Sequence, residues 1–272
     1  MKKFYAVFII VLGLLLVACS NNGESNVEKQ ETDVASSEEN NLLEEIKESG
    51  VLKIGTEGTY APFTFHDDSG ELTGYDIEVI EEVAERLGVE PEFYETQWDA
   101  MFAGLDAERF DVIANQVGIR EDRLEKYDFS DPYTRSAAVL LVHENNDEIT
   151  TFEDIEGRKA AQTLTSNYGK LAEELGAEIE KVEGFNQAID LVVSERVEGT
   201  FNDKLSALDF LQQRPDAPIK IAAEADDASV IGFMFRKGNE ELVEEFNRIL
   251  NEMREDGTLK QISEKWFGED VS

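Results

Sequence analysis

Gly74-Tyr75-Asp76-Ile77-Glu78-Val79-Ile80-Glu81-Glu82-Val83-Ala84-Glu85-Arg86-Leu87-Gly88 is the stretch whose periodicity decides the fold. From Asp76 onward, Ile77, Ile80, Val83, Ala84 and Leu87 recur three or four residues apart, which puts them on one helical face, and Gly88 supplies a stop. Strand-like runs flank this amphipathic helix, Val51 to Gly55 before it and Glu92 to Tyr94 after it. A helix over Trp98 to Leu105 and a buried strand over Phe110 to Ala114 follow. Alternation of this kind predicts an α/β fold with mostly parallel strands. The pattern then repeats with new content: an apolar Ala137 to Val142, a helix over Asn167 to Leu175, a strand over Ile179 to Val182, and a helix over Asn186 to Val193. Two such units predict two lobes. A last strand-like run, Ser229 to Phe235, precedes a helical C-terminus with Leu242, Phe246, Ile249, Leu250 and Met253 on one face; periodicity alone leaves the partner of that tail open.

The chain of 272 residues carries 25 basic and 60 acidic residues, a formal net charge of -35. Such a balance excludes nucleic acid as a partner and electrostatic docking to anionic lipid. The acidic residues are spread along the sequence, so they read as a solvated surface, and 41% hydrophobic residues suffice for a large core or two compact lobes. At the N-terminus, Lys2 and Lys3 precede an apolar run from Phe4 to Val17, interrupted at Gly13. That run is shorter than the ~20 residues a bilayer-spanning helix needs, and it reads as a secretory signal over residues 1–18. Cys19 is the one cysteine in the chain, so no internal disulfide can form. Leu16-Val17-Ala18-Cys19 resembles the lipobox of bacterial lipoproteins, which implies cleavage before Cys19, a diacylglycerol on its sulfur, and a lipid-anchored position on the extracytoplasmic face of the cell membrane. Acylation also protects an exported thiol that would otherwise be exposed to oxidation. Residues 19–47, rich in Ser, Asn and Glu, then form a lipidated N-terminus and an acidic tether, with too few large apolar side chains to offset chain entropy.

Much chemistry is missing. His66 and His143 lie far apart with no Cys or carboxylate at ligand spacing, so neither a metal nor another cofactor is expected. The sequence has no phosphate-binding glycine loop, no G-x-S-x-G elbow and no Cys-His pair for nucleophilic catalysis.

The run Gly74 to Val79, followed by Val83-Ala84 and Leu87, resembles the signature of family 3 solute-binding proteins, the polar amino-acid receptors of ABC importers; its departure is Glu78, where Asp is usual. Thr59-Tyr60-Ala61-Pro62-Phe63 upstream, and Asp128-Phe129-Ser130 and Pro132-Tyr133 downstream, agree with it, and the resemblance covers about Val51 to Gly268. It implies a two-lobed periplasmic-binding-protein-like fold, joined by two crossing strands and closing on its ligand by hinge motion. Lobe 1 would comprise residues 48–138 and 231–272, and lobe 2 residues 139–230. The crossings are expected near Ala138 to Leu141 and near Val230 to Phe233, returning the C-terminal helices to lobe 1. A monomeric receptor is expected, not an enzyme, with an ABC permease and ATPase as partners.

An amino acid offers a fixed zwitterion, so its receptor needs a cation, an anion and a shaped pocket. In the family an Arg four residues after the Ile of a Ser-Ile-Thr-like motif grips the α-carboxylate; counting from Ile119 reaches Arg123, with Arg120 as competitor. Gly118 and Arg120 replace the usual hydroxyl residues, leaving the backbone of Gly118 and the amides of Asn115 and Gln116 as contacts or as strand-end caps. Tyr60, with Phe63 beside it, matches the aromatic that covers the ligand, and core packing is the alternative. Asp203 matches the ammonium-binding acid and also suits a helix N-cap. Thr165, Ser166 and Asn167 precede a helix whose N-terminus suits a carboxylate, or they simply cap it. Ala161 to Gly169 and Ala114 to Val117 look closest to the cystine-binding branch, with a glutamine or other polar amino-acid receptor as alternative. Cyclohexadienyl dehydratases share the resemblance, but such an enzyme needs a cleft carboxylate kept protonated as general acid.

Overall fold

The computed structural model describes residues 41–272, so the signal over 1–18 and the lipidation at Cys19 lie outside the described residues. The tether over 19–47 is too long by its last turn and a half of chain, because α1 (Leu42–Ser49) is helical. Asn41 caps it by accepting from Leu43 N at 3.1 Å, and Gly50, at φ 70°, ends it in the left-handed conformation that glycine adopts without strain. Leu42, Leu43 and Ile46 fall on one face, with Ile46 buried in the core that the later helices share.

β1 (Val51–Thr56) follows at once, then a small three-stranded sheet of β2 (Thr59–Tyr60), β3 (Thr64–His66) and β4 (Leu72–Thr73). α2 (Tyr75–Leu87) buries Ile77, Ile80, Val83, Ala84 and Leu87 as its spacing predicts, and Gly88 closes it. Its N-terminus is tied to the preceding loop by Tyr75 N–H to Pro62 O and Asp76 N–H to Phe63 O, both 2.9 Å. A side chain at Gly74 would run into the backbone of Phe63, so glycine is required for that approach. β5 (Glu90–Glu95), α3 (Trp98–Asp106), β6 (Val112–Ile113), α4 (Glu121–Leu124) and β7 (Tyr127–Phe129) complete the first pass.

The chain then builds a second sheet. Its elements are β8 (Thr134–His143), β9 (Lys159–Gln162), α5 (Asn167–Glu174), β10 (Glu178–Lys181), α6 (Phe185–Val193), β11 (Gly199–Asp203), α7 (Lys204–Gln213) and β12 (Ile219–Ile231). β13 (Met234–Arg236) returns to the first sheet, and α8 (Glu240–Glu255) and α9 (Thr258–Phe267) pack on its core. The strand orders are β5-β1-β6-β13-β7 and β10-β9-β11-β8-β12. Each sheet forms the centre of one α/β lobe.

Two features differ from the sequence reading. β1 pairs in parallel with β5 and β6, and β9 with β10 and β11, but β13, β8 and β12 are antiparallel to their neighbours, so both sheets are mixed. The connecting strands enter each sheet from the opposite direction, which imposes that mixture. The first passage between sheets falls at Ser130 to Tyr133, N-terminal to the expected Ala138 to Leu141, because Val139 to Val142 are fully buried in the second sheet. Both connections run side by side: Thr134 pairs with Ile231 and Ser136 with Ser229.

Ile46→Ala is expected to lower unfolding stability by about 2–4 kcal/mol, the usual cost of emptying a buried aliphatic site. Urea unfolding of the ligand-free protein measures it, and an unchanged midpoint would return α1 to the tether.

Candidate functional site

The two lobes meet over a cleft lined from lobe 1 by Glu57, Tyr60, Trp98, Asn115 and Gln116, and from lobe 2 by Gln162, Ser166, Asn167, Tyr168, Phe185 and Asn202 among others. It encloses about 550 Å³ not filled by atoms, part of it open to solvent. Nearly all these residues end a strand or begin the helix after it. Glu57 follows β1, Asn115 and Gln116 follow β6, Gln162 ends β9, and Asn202 is the last residue but one of β11, while Trp98, Tyr168 and Phe185 lie in the first turns of α3, α5 and α6. Solutes bind at such carboxyl ends of strands because backbone groups and helix N-termini converge there.

Asn115 ties the ends of β1 and β6 together: its Oδ1 accepts from Glu57 N at 2.7 Å, and its Nδ2 donates to Glu57 Oε2 at 2.7 Å. Gln116 has φ 51° and is held by the fully buried Asp76, which accepts from Gln116 N and Nε2, both at 2.7 Å. With its amino group on Asp76, the Gln116 amide is left with a buried Oε1 that has no partner; Trp98 Nε1, a donor, is likewise buried and unpaired. Both residues line the cleft, so an acceptor and a donor are available there.

Burial pushes the carboxyl of Glu57 up to about 7, with the Asn115 hydrogen bond opposing and the charge of Asp99 adding to the rise. Burial also raises Asp76 to about 7 against the bonds from Gln116. Asp203 is raised to about 6, again by burial, opposed by Ser136, Leu205 N–H and Tyr168. Arg123 is lowered to about 9 by burial and then by the charge of Arg120. Its guanidinium lies 5.6 Å from the Trp98 ring centroid and 5.2 Å from that of Phe102.

Several contacts hold the lobes together. Tyr60 donates to Asn202 Oδ1 at 2.6 Å and Ser206 Oγ to Ala61 O at 2.7 Å. Arg123 donates from Nη1 to Asn167 Oδ1 at 2.8 Å and from Nη2 to Thr165 O at 2.9 Å. Asp99 accepts from Thr165 Oγ1 at 2.9 Å.

Of the residues singled out in the sequence, Tyr60, Asn115, Gln116, Ser166 and Asn167 line the cleft. Ser166 also caps α5, accepting from Gly169 N at 2.9 Å. Gly118, Arg123, Thr165 and Asp203 stand behind that wall. Gly118 O accepts from Arg123 Nη1 at 2.8 Å, and the Thr165 hydroxyl is occupied by Asp99. Asp203 caps α7 through Leu205 N and accepts from Ser136 Oγ at 2.8 Å and Tyr168 OH at 3.1 Å. Phe63 requires correction: it is fully buried in the lobe 1 core and does not reach the cleft, its ring supporting Tyr60 at 5.2 Å between centroids. Glu57, Trp98, Gln162, Tyr168, Phe185 and Asn202 are not among the site residues named from the sequence, although Gln162 and Tyr168 lie within the Ala161 to Gly169 motif. Their common signal is position, at a strand's end or a helix's first turn.

Two α/β lobes, joined by paired strands and closed over a polar cleft, define a solute-binding receptor. Residues 52–269 match the family model described as bacterial extracellular solute-binding proteins, family 3. The chain is 49% identical to the L-cystine-binding protein TcyA of Bacillus subtilis over 273 residues, covering all of both chains. It therefore belongs to the family 3 extracellular solute-binding proteins. Among solved structures, the unliganded open L-cystine solute receptor of Neisseria gonorrhoeae is 50% identical over 85% of this chain and 98% of its own, with a TM-score of 0.57. An ancestral arginine-binding protein bound to glutamine is only 37% identical, over 81% of this chain and 99% of its own, yet reaches 0.78. Identity and superposition run in opposite order, as they do when the larger difference is the angle between lobes.

Asp76 and Glu57 hold protons in the folded protein at pH values where the unfolded chain has lost them. Their contribution to stability is full below about pH 4 and is lost as the pH rises through about 7. The urea midpoint of the ligand-free protein should thus fall between about pH 5 and 8. Asp76→Asn should flatten that fall; a slope identical to the wild type would show that Asp76 does not titrate there.

Proposed function

We propose that the chain is the extracytoplasmic receptor of an ABC amino-acid importer and that its solute is cystine. The observation that carries this reading is the charge set around one cleft: two carboxylates, the half-buried Glu57 and the buried Asp203, with two arginines, Arg120 and Arg123, and an unpaired acceptor and donor on Gln116 and Trp98. Cystine carries two ammonium and two carboxylate groups, and buried charges must be paired. A ligand ammonium beside Glu57 or Asp203 would favour the ionised carboxylate that burial alone disfavours. Arg123 places three of its five N–H donors on Gly118 O, Asn167 Oδ1 and Thr165 O, which leaves Nε and one Nη2 hydrogen, the edge suited to a carboxylate. Tyr60 covers the cleft from lobe 1. The names of the B. subtilis and gonococcal relatives support cystine as the solute.

In this reading the lobes expected over 48–138 with 231–272 and over 139–230 are kept, with the first boundary moved back to the passage at Ser130 to Tyr133, and the receptor is a monomer that presents the closed cleft to its permease. A diacylglycerol on Cys19 anchors the chain. No catalytic step is assigned; an enzyme on this fold would have to use a cleft acid such as Glu57, and turnover of arogenate or prephenate by the purified protein would establish it.

Isothermal titration of ligand-free protein with cystine, glutamine, arginine and histidine tests the assignment. Cystine should bind tightest, and a preference for any of the others would overturn it. Arg123→Ala and Asp203→Ala should each weaken cystine binding by at least about 100-fold, since each leaves a ligand charge unpaired. Glu57→Gln should cost cystine more than glutamine, whose single ammonium needs one carboxylate. Separately, Cys19→Ala should release the protein from the cell membrane into the soluble fraction.

A further inference from the structure

Gly118 and Asn167 belong to opposite lobes and meet in the closed cleft. Gly118 lies beyond β6 and forms an isolated bridge with Ile231, while Asn167 is the first residue of α5. A Cβ at position 118 would overlap Asn167 Nδ2 and would stand 2.7 Å from its Cγ and 2.9 Å from its Oδ1. These separations are well inside the ~3.5–4.0 Å at which carbon atoms pack. Its φ lies outside the left-handed region, so the backbone does not demand glycine there. The neighbouring amide does. Asn167 Oδ1 in turn accepts from Arg123 Nη1 at 2.8 Å and from Arg120 Nη1 at 3.3 Å, and Arg123 Nη1 also donates to Gly118 O at 2.8 Å.

We propose that Gly118 and Asn167 form an interlobe latch that sets how far the cleft closes. The proposal rests on the reading that the cleft closes over a solute. The hydroxyl side chain that the family resemblance leads one to expect at position 118 is replaced by an amide delivered from the other lobe. That amide occupies the volume a side chain at 118 would fill, and it holds Arg123 from lobe 2 while Gly118 O holds it from lobe 1. Because the two residues are on different lobes and the three atoms nearest a Cβ at 118 all belong to Asn167, a side chain at 118 obstructs the closed form. Asn167 and Gly118 are therefore positioning residues: they fix Arg123 only when the lobes come together.

The test is a double-mutant cycle of Gly118→Ser and Asn167→Ala, read by cystine titration and by the radius of gyration from small-angle X-ray scattering, with and without saturating cystine, glutamine or arginine. Gly118→Ser should weaken cystine binding about tenfold or more and should stay more expanded than the wild type at saturation. In the Asn167→Ala background the same change should cost less than about threefold and restore the compact form, since contacting residues are non-additive. Asn167→Gln, which enlarges the same side chain from the other lobe, should reproduce the expansion if Gly118→Ser does not fold. Wild-type affinity and compactness in Gly118→Ser, or equal costs in both backgrounds, would overturn the latch while leaving the receptor reading in place. A wild type that compacts with glutamine or arginine but not with cystine would remove the cystine assignment, and the cycle would then be read with that solute. A wild type that never compacts would overturn the latch.

Discussion

The carboxylate of Asp76 is the anchor on which the geometry of the site depends. It is fully buried, and the groups it accepts from are the backbone and side-chain N–H of Gln116. A charge in that environment is costly unless hydrogen-bonded, so the loop after β6 is drawn into the one conformation that supplies both donors. That conformation sets Gln116 at φ 51° and turns its Oε1 away from Asp76. Asp76 also lies in the first turn of α2, where its backbone N–H and that of Tyr75 are bonded to the loop carrying Tyr60. One buried residue thus registers α2, the aromatic cover and the strand-end amides against each other, and Asn115 extends the register to Glu57 across β1 and β6.

The elements with strong periodicity were legible in the sequence. α2 runs over Tyr75–Leu87 as spacing demands, and α8 buries Leu242, Phe246, Ile249, Leu250 and Met253 as one stripe, although its return to lobe 1 was implied by the family resemblance and not by that spacing. α1 was hidden because charged residues dominate its eight positions, and its three apolar residues count only once α8 is there to receive them. The connection before β8 was misplaced because an apolar run has the same composition whether it crosses between lobes or sits at the centre of one. Among the site residues, Gln116 and Asn167 could be found by motif. Glu57 could not, since one acid among 60 has no distinguishing mark until burial separates it from the solvated majority. Phe63 shows the converse: its motif pairs it with Tyr60, and packing divides the pair into a core residue and a wall residue.

The cleft is strongly polar for a buried place, and the polarity is ordered. Carboxylates approach from β1 in lobe 1 and from β11 in lobe 2, while the arginines sit at the lobe boundary, with Arg123 packed against the Trp98 and Phe102 rings. Such an arrangement is stable only if each charge keeps a partner, which the protein supplies from backbone carbonyls, amides and hydroxyls. A zwitterionic solute would exchange some of those partners for its own groups without changing the number of buried charges left unpaired, which makes the binding cleft and the structural network a single system.

Both ends of the described chain lie in lobe 1. α1 docks there through Lys47 on Glu245, and near the other end Val271 O accepts from Arg135 N. Lobe 2 is a closed excursion that leaves and re-enters through the two paired strands. In mechanical terms, a load applied at α1 would be carried by lobe 1, whereas the other end is bonded to Arg135 on the connecting strand β8. The captured solute would thus be shielded from a pull on α1, and lobe 2 would swing as an unloaded jaw.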